Sequence, residues 1–222
     1  MNKYAVIVAG GTGSRMQSDV PKQFMLLNGL PVLMHSIQQF YACKAQIVVA
    51  LAADLQLTWQ QLCKQYSFEI PHQVVAGGQW RAQSVHFGLQ HWAACTGIVA
   101  VHDAARPLAS KALIALLYNE AEVYGNAIPF LPLTESIRQT DGNTNRAVNR
   151  NNYVAVQTPQ CFDLQQLLSA YNEVVSYDFT DEASLFENKA TIHLVPGQSN
   201  NIKITKPGDI AWAQQFLQQQ NI

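Results

Sequence analysis

The chain has 222 residues, of which 48% are hydrophobic, so it can bury a sizeable core in one large α/β domain or two small ones. Its formal net charge at pH 7 is −1, and only 13% of its residues are charged. Binding to nucleic acid needs a basic surface that displaces counterions, so this charge balance argues against a nucleic-acid-binding protein.

The cysteine spacing and the hydropathy exclude further classes of protein. The four cysteines form no CxxC pair, which argues against a zinc site and is typical of core cysteines in a reduced compartment. No apolar run approaches the roughly 18 residues of a membrane span. The short apolar run near the N-terminus passes directly into glycines, unlike a signal peptide. We therefore expect a cytoplasmic protein that has no contact with a membrane.

Short apolar segments alternate with longer amphipathic ones over the first 131 residues. Strands buried on both faces are predicted at 4–9, 45–51, 72–76, 97–103 and 126–131. Helices are predicted from the spacing of apolar residues at 31–42, 54–66, 81–94 and 110–125. Asp54 and Ser110 are candidate N-caps. The alternation predicts a doubly wound, mostly parallel sheet.

The alternation ends near residue 132, where a polar segment without helical period begins. Residues that favour strands flank Asp141 and Gly142, a pair typical of a hairpin turn. A polar hairpin without a buried face needs something to pack on. Residues 132–158 are therefore either an arm that clasps a second subunit or a long surface loop, and composition does not decide between them.

Regular elements return after residue 158. Helices are predicted at 163–175, at 181–189 with Thr180 as N-cap, and at 207–220 with Pro207 in the first turn. Short strands are predicted at 190–195 and 201–205. Because no repeat and no linker divides the chain, we predict a single domain over residues 1–222.

A glycine-rich loop, AGGTGSRM, follows the first predicted strand. Ligands of open parallel sheets bind at the carboxyl ends of the strands, where this loop lies. Gly10, Gly11 and Gly13 let the backbone approach a ligand and present N–H groups to an anion. Arg15 and Lys22 add a guanidinium fork and an ammonium. The loop is then a polyphosphate clamp, or else a flexible turn with incidental cations; it matches neither a P-loop nor a dinucleotide fingerprint.

A second candidate site is VHDAARP at residues 101–107. Asp103 ends a predicted strand, so its carboxylate faces the same crevice as the loop if the sheet order permits. It could hold Mg²⁺, which prefers one or two carboxylates together with phosphate oxygens. Arg106 offers a second contact for an anion, whereas His102 points to the opposite face and is predicted to be packed. Taken alone, Asp103 is more simply explained as the cap of a turn.

Polar residues in four other stretches could complete a ligand site. In GGQWRAQS, at residues 77–84, the backbone and Ser84 could read a base or a sugar, although a plain turn explains the glycines as well. Lys203 lies in a short apolar segment, where its ammonium needs water or an anion. Arg150, at the end of the polar segment, is similarly placed for an anion, and Thr180 offers a hydroxyl group.

Several cations, one carboxylate suited to Mg²⁺ and no obvious general base favour nucleotidyl transfer. A phosphate-bearing substrate is already a nucleophile at neutral pH, because its second pKa is about 6. The protein must then hold two polyanions together and stabilise the charge of the transition state and of departing pyrophosphate.

Seven stretches in order make the sequence resemble the 2-C-methyl-D-erythritol 4-phosphate cytidylyltransferase family of the non-mevalonate isoprenoid pathway. They are AGGTGSRM, PKQF, GG followed by RAQSV, VHDAARP, TPQ, TDEAS and NIKIT, and they span Ala5 to about Asp209. The resemblance implies a Rossmann-like α/β fold of the nucleotide-diphospho-sugar transferase type with a protruding β-arm. It also implies a homodimer joined through that arm, at about 132–158, and Mg²⁺-dependent transfer of CMP from CTP to methylerythritol phosphate, with release of pyrophosphate.

The resemblance implies roles for individual residues as well. Arg15, Lys22 and Lys203 would be catalytic, the first two on the triphosphate and the third near the α-phosphate. The nucleotide would contact Ala9, Gly10, Gly11, Gly13, Gly78, Ser84, Asp103 and Ala104. Asp103 would place Mg²⁺, and the acceptor would contact Asp103, Arg106, Thr180 and, from the partner's arm, Ser136 and Arg150.

The chain departs from the family pattern at three places, and other functions compete. The family commonly has Asp-Thr at Glu135-Ser136, often an acid at Gln79, and usually Ala at Gly10. A ribitol 5-phosphate cytidylyltransferase shares most of the motifs and would differ in the acceptor pocket. A sugar 1-phosphate nucleotidyltransferase fits the second half of the motif set less well. A non-catalytic nucleotide-binding regulator would not be expected to keep Arg15, Lys22, Asp103 and Lys203.

Overall fold

The first strand, β1 (Lys3–Val8), lies at the centre of the fold in a computed structural model that describes residues 1–11 and 20–220. Ala5 and Ile7 enter one apolar core, and Tyr4 and Val6 enter another. Because side chains alternate along a strand, β1 must be covered on both faces of the sheet. The expectation of a strand buried on both faces is confirmed.

The predicted strands and helices of the first 131 residues are all present. After β1 comes a small hairpin of β2 (Leu26–Leu27) and β3 (Leu30–Pro31), and the other predicted elements follow it. They are α1 (Val32–Ala42), β4 (Gln46–Leu51), α2 (Gln56–Gln65), β5 (Gln73–Ala76), α3 (Arg81–Gln90), β6 (Ile98–Asp103), α4 (Lys111–Tyr124) and β7 (Asn126–Pro132). The rest of the chain forms β8 (Arg138–Thr140), β9 (Asn145–Ala147), β10 (Val154–Val156), β11 (Gln160–Asp163), α5 (Leu164–Asn172), β12 (Leu194–Pro196) and α6 (Pro207–Gln220).

The central sheet has the strand order β10-β7-β11-β6-β1-β4-β5, with β12 also paired to β7. Strands β6, β1, β4 and β5 are parallel, whereas β11 runs antiparallel between β6 and β7. The predicted doubly wound, mostly parallel α/β sheet is therefore confirmed. The connection from β1 leads towards β4, and the connection from β6 leads to the other side. A crevice for ligands is expected between the carboxyl ends of these two neighbouring strands.

Helices cover both faces of the sheet. The core on one face is built from α1 and α4 against the sheet, and the core on the other from α3 and α5. A third, smaller cluster joins α6 to the small hairpin, through Leu27, Val32, Leu108, Ile204 and Ala213. Within residues 1–11 and 20–220, no helix is both long enough and apolar enough to cross a membrane.

The caps and short elements were predicted less well. The backbone N–H of Leu113 donates to Oγ of Ser110, 3.1 Å away, so Ser110 caps α4 as expected. Asp54 is no cap, because it lies inside a 3-10 turn that precedes α2. Thr180 is no cap either: the helix at residues 182–186 is a 3-10 helix preceded by Asp181. Of the three predicted N-caps, only Ser110 is correct, and it caps a regular helix of 14 residues.

The strand predicted at residues 201–205 was wrong, and the one at 190–195 was shifted. The strand that forms there is β12 (Leu194–Pro196), which pairs with β7 and starts four residues later than predicted. In the later segment, the N–H of Ile204 donates to the carbonyl of Ala105, while Ile202 donates within its own loop, to Asn200. An apolar pattern favours a strand, but a strand also needs a neighbour that pairs with it over several residues.

The polar segment at residues 132–158 contains the expected hairpin. Strand β8 pairs antiparallel with β9, and Asp141 accepts hydrogen bonds from the N–H groups of Asn143 and Thr144 in the turn. Every residue of β8, β9 and β10 is exposed in the isolated chain. The single domain and the dimerisation arm stay predictions.

Candidate active site

A cleft of about 320 Å³ opens where β1 and β6 end, at the point where the strand connections diverge. Nine of the residues proposed from the sequence line it: Ala9, Gly10, Gly11, Lys22, Gly78, Ser84, Asp103, Ala104 and Lys203. Val8, Gln23, Gln79, Trp80, Arg81 and Ala105 line it as well. Gly13 and Arg15, which the sequence also assigned to this loop, lie outside the described residues.

One wall of the cleft is the backbone that follows β1. The N–H of Ala9 donates to the carbonyl of Ala50, which extends the sheet by one residue. The carbonyl of Ala9 accepts from Nε2 of the buried Gln23, 2.8 Å away. A Cβ at Gly11 would lie 4.0 Å from Nζ of Lys22, so this ammonium sits beside the start of the glycine loop. The structure thus brings the lysine and the first two glycines together, as predicted.

Lys22 is held at the cleft by its neighbours in sequence. It begins a 3-10 turn, Lys22–Phe24, that follows Pro21. Gln23 and Phe24 are buried, and the ring of Phe24 stacks on Trp59 with 6.0 Å between ring centroids. Because the two residues after the lysine are anchored, the position of its Cα is set by the core.

The loop between β5 and α3 forms the opposite wall, and Ser84 holds its shape. The N–H of Gly78 donates to Oγ of Ser84 (2.9 Å), and this hydroxyl donates to the carbonyl of Trp80 (3.1 Å). Gln79 is tied down in the same way, since its N–H donates to Oε1 of Gln83. Ser84 is buried, and its hydroxyl spans the loop and keeps the turn closed.

Asp103 lies at the bottom of the cleft between two cations. Nε of Arg81 donates to Oδ1 at 3.0 Å, and Nζ of Lys203 lies 2.7 Å from Oδ2. Nε of Arg106 is 4.0 Å from Oδ2, and the N–H of Asp103 donates to Oγ1 of Thr158. Burial alone would raise the pKa of Asp103, but the charges of Arg81 and Lys203 outweigh it and hold that pKa well below its usual range. Asp103 is therefore an anion at neutral pH.

His102, next to Asp103, is packed as predicted. It is fully buried, and its ring lies 5.0 Å from the ring of Phe40, centroid to centroid. Its Nε2 is 3.1 Å from the carbonyl of Arg106. Burial lowers the pKa of His102 to about 4, so the ring is neutral at physiological pH. Neutral and enclosed, it has no role in proton transfer within the cleft.

Arg81 and Glu182 are functional candidates that the sequence reading missed. Nη1 of Arg81 donates to Oε1 of Glu182 (2.7 Å), and Glu182 has no exposed surface. Arg81 is therefore the shared partner of two carboxylates. Burial would lower the pKa of Arg81, but the negative charges of Glu182 and Asp103 raise it far above its usual value, so the guanidinium stays charged. Both residues lie in stretches already singled out, RAQSV and TDEAS. No local pattern pointed to this pair, because the two residues lie 101 positions apart and Glu182 directly follows another acid, Asp181.

A network of buried amides fixes the segment that carries Lys203. Nδ2 of Asn201 donates to the carbonyl of Thr158 (2.9 Å), and Nε2 of Gln157 donates to the carbonyl of Gln198. The guanidinium of Arg106 donates to the carbonyl of Asn201 (2.8 Å). Arg106 therefore stands beside the cleft and braces the lysine segment, and it does not line the cleft itself.

The remaining acceptor candidates lie apart from the cleft in the isolated chain. Ser136 and Arg150 are exposed near the hairpin, where Arg150 donates to the carbonyl of Thr134. Thr180 is exposed two positions before Glu182. The structure thus gathers the proposed nucleotide site and leaves Ser136, Arg150 and Thr180 outside it.

Comparisons with known proteins show which family the chain is similar to. The family model described as 2-C-methyl-D-erythritol 4-phosphate cytidylyltransferase matches residues 4–219. A protein of that name from Porphyromonas gingivalis is 44% identical over 218 residues, which is 97% of each chain. Another from Bacteroides thetaiotaomicron is 40% identical and covers 95% of this chain and 97% of its own.

Solved structures with the same fold come from the same group of proteins. The 4-diphosphocytidyl-2C-methyl-D-erythritol synthase of Anaerococcus prevotii is 25% identical, with a TM-score of 0.83 over 98% of this chain and 96% of that one. The Francisella tularensis 2-C-methyl-D-erythritol 4-phosphate cytidylyltransferase is 29% identical, with a TM-score of 0.79 over 97% and 99%. With a full-length family match and relatives above 40% identity, this chain belongs to the 2-C-methyl-D-erythritol 4-phosphate cytidylyltransferase family of nucleotidyltransferases.

Proposed function

We propose that the protein transfers CMP from CTP to 2-C-methyl-D-erythritol 4-phosphate in a Mg²⁺-dependent reaction that yields 4-diphosphocytidyl-2-C-methyl-D-erythritol and pyrophosphate. The observation that carries the proposal is the contact between Lys203 and Asp103, 2.7 Å, at the bottom of a glycine-lined cleft that also contains Lys22. The names of the relatives supply the acceptor, 2-C-methyl-D-erythritol 4-phosphate, and the transferred cytidylyl group, for which we propose CTP as the donor.

The reaction needs positioning and charge more than proton transfer. A phosphate oxygen of the acceptor attacks the α-phosphorus of CTP, and the bond from that phosphorus to the bridging oxygen of the β-phosphate breaks. The acceptor phosphate carries its second negative charge near neutral pH, so no base has to remove a proton from it. Charge accumulates on the oxygens around the α-phosphorus and on the pyrophosphate as it leaves.

The described cations are suited to this task. Lys203 is held in the cleft by Asp103, and Lys22 lines the same cleft beside Gly11. Ammonium groups fixed before the reaction stabilise the transition state without reorganisation, which is the main source of electrostatic catalysis. We assign Lys203 to the α-phosphate and Lys22 to the triphosphate, together with Arg15 of the undescribed loop.

Asp103 fits a Mg²⁺ ion that is held mainly by the nucleotide. Among the described residues that line the cleft it is the one carboxylate, and those residues contain no cluster of three or more metal-binding side chains. Mg²⁺ commonly takes one or two carboxylates together with substrate phosphates, so one ionised aspartate matches that pattern. Such an ion would neutralise phosphate charge and align the two substrates.

The nucleoside is proposed to lie between the two glycine-containing walls of the cleft, which are the backbone after β1 and the loop between β5 and α3. Gly10 departs from the alanine usual in the family, but a Cβ there would lie 3.7 Å from Oγ of Ser84, an ordinary contact. Glycine in place of alanine at this position therefore changes the shape of the pocket little. Ala9, Gly78 and Ala104 line the cleft with side chains that are small or absent, and we propose that the space they leave accepts a pyrimidine.

The acceptor site is proposed to be completed by a second copy of the chain. Arg150 and Ser136 lie close to the exposed hairpin, and neither lines the cleft of its own chain. A symmetric dimer that exchanges these arms would bring both residues to the partner's cleft. This dimer and a cytoplasmic location stay predictions.

Pyrophosphate release by the purified protein with Mg²⁺ tests the proposed function. CTP, UTP, ATP and GTP are each combined with methylerythritol 4-phosphate and with ribitol 5-phosphate. Release with CTP and methylerythritol phosphate alone supports the proposal. Release with ribitol phosphate instead would keep the mechanism and change the acceptor, and no release from any pair by a folded protein would overturn it.

A further inference from the structure

Glu182 is a fully buried carboxylate that no step of the proposed reaction uses. Its Oε1 accepts hydrogen bonds from Nη1 of Arg81 (2.7 Å) and from the hydroxyl of Tyr171 (3.0 Å). Its backbone N–H donates to Oε1 of Gln160, so the main chain is held as well as the side chain. A buried carboxylate is costly unless it is paired, and the contact with Arg81 offsets that cost.

Arg81 divides its guanidinium between two carboxylates. Nε gives a single hydrogen bond to Oδ1 of Asp103, and Nη1 is directed to Glu182. A guanidinium that faces one carboxylate tends to form two parallel bonds, one to each oxygen. Here Asp103 receives only one, and its Oδ2 contacts Lys203 at 2.7 Å.

The charges around Asp103 show why the second carboxylate matters. Arg81, Lys203 and Arg106 all lie within 4.0 Å of Asp103. Without Glu182, three cations would compete for one carboxylate, and Asp103 would be the one carboxylate of the described residues left to hold Arg81. The guanidinium fork would then be drawn onto both oxygens of Asp103 and displace Lys203.

We propose that Glu182 and Arg81 are positioning residues: Glu182 holds the guanidinium of Arg81 so that it binds only Oδ1 of Asp103, which leaves Oδ2 for Lys203 and for ligands in the cleft. Glu182 acts through Arg81 and touches no substrate. The inference rests on the proposed function, because it is in that reaction that Asp103 and Lys203 act on the phosphates.

The variant Glu182→Gln tests this arrangement, with Glu173→Gln as a matched control. Glu173 is also ion-paired, to Lys189, but it is exposed, directly follows the last residue of α5 and does not line the cleft. We expect Glu182→Gln to lower kcat by about 10- to 100-fold with a smaller change in KM for CTP, as for a misplaced catalytic group. The control should retain its kcat. A crystal structure of Glu182→Gln should show Arg81 on both oxygens of Asp103 and Lys203 moved away.

Arg81→Lys serves as a second variant if Glu182→Gln does not fold. It keeps the buried positive charge but cannot bridge two carboxylates as a guanidinium does. We expect a similar loss of kcat. A folded variant of either kind with kcat within about twofold of the unaltered protein, even at a lower melting temperature, would show a merely structural role and overturn the inference.

The structural readout separates this inference from the proposed function. If the unaltered protein releases no pyrophosphate from any pair of substrates, the proposed function fails. The position of Arg81 in the Glu182→Gln crystal structure still decides the inference, which is overturned if Arg81 keeps its single bond to Oδ1.

Discussion

The ammonium of Lys203 lies 2.7 Å from Oδ2 of Asp103, although the lysine follows no strand and the aspartate ends one. The lysine is partly exposed, and its segment is fastened to Thr158 through the buried Asn201. This contact joins the second half of the chain to the end of β6. It places a cation where the α-phosphate of a nucleotide is proposed to bind.

Replacing Lys203 with methionine should lower kcat by about 10²- to 10³-fold, because one preorganised positive group is lost from the transition state. The protein should stay folded, since Asp103 keeps its hydrogen bond from Arg81. Steady-state kinetics and urea denaturation measure the two effects. Lys189→Met, in an exposed ion pair, is the control. An equal loss in both variants would remove Lys203 from the catalytic set.

Trp80 should report nucleotide binding by its fluorescence. The residue is 49% exposed and lines the cleft beside Gln79. Addition of CTP should change the emission, because a base or phosphate alters the surroundings of the indole ring. Trp80→Phe should abolish most of the change, whereas Trp212→Phe, which removes an exposed tryptophan of α6, should retain it. The opposite pattern would place the nucleotide elsewhere.

Mixing two inactive variants should restore activity if the arms are exchanged between subunits. Arg150→Met and Lys203→Met would each damage every site of their own dimer. In a mixed dimer one site receives both changes and the other receives neither, so about a quarter of the activity should return after subunit exchange. Pyrophosphate release before and after mixing measures this. Absence of recovery, with mixed dimers detected by mass spectrometry, would exclude a shared site.

His72 should make the stability depend on pH. Its Nε2 accepts from Nε1 of Trp59 (3.0 Å), and Nδ1 lies 2.7 Å from the carbonyl of Ile70, which fits a neutral ring. Burial lowers the pKa of His72 below its usual value, and the hydrogen bond to Ile70 opposes this only partly. The unfolded chain then takes up a proton at a higher pH than the folded protein does. The stabilisation is complete above about pH 6.5 and is lost as the pH falls through the folded pKa.

Urea denaturation between about pH 8 and pH 5 tests this dependence. The unaltered protein should lose more of its free energy of unfolding over this range than His72→Gln does. His91→Gln, which removes an exposed histidine, should follow the unaltered protein. Parallel curves for the unaltered protein and His72→Gln would contradict the prediction.

Gly97→Ala should destabilise the fold by about 3 kcal/mol. Gly97 has φ 148°, and a Cβ there would lie 2.4 Å from the carbonyl oxygen of Asn2, which is backbone and cannot move aside easily. Gly208→Ala is the matched control, because a Cβ in that turn of α6 meets nothing within 4 Å. The control should be neutral or stabilising by about 0.5 kcal/mol. Thermal or urea unfolding of both variants measures the difference, and equal stabilities would refute it.

Much of the architecture and of the nucleotide site could be predicted because the signals are local. Continuous apolar runs predicted β1, β4 and β6, since a strand covered on both faces needs apolar residues at every position. The glycines after β1 and Asp103 at the end of β6 then had to lie at the same edge of the sheet. The motifs that resemble the family extended this to individual residues.

What the sequence by itself determined is therefore the order of the strands and helices up to residue 131, the later helices α5 and α6, and the resemblance to the family. The tertiary structure alone decided which distant side chains meet: Glu182 with Arg81, and Lys203 with Asp103. It also decided that residues 201–205 form no strand, although their pattern favours one. The physical reason is that apolar periodicity acts between near neighbours along the chain. An ion pair depends on strand order and on burial, which only the packed sheet and helices create.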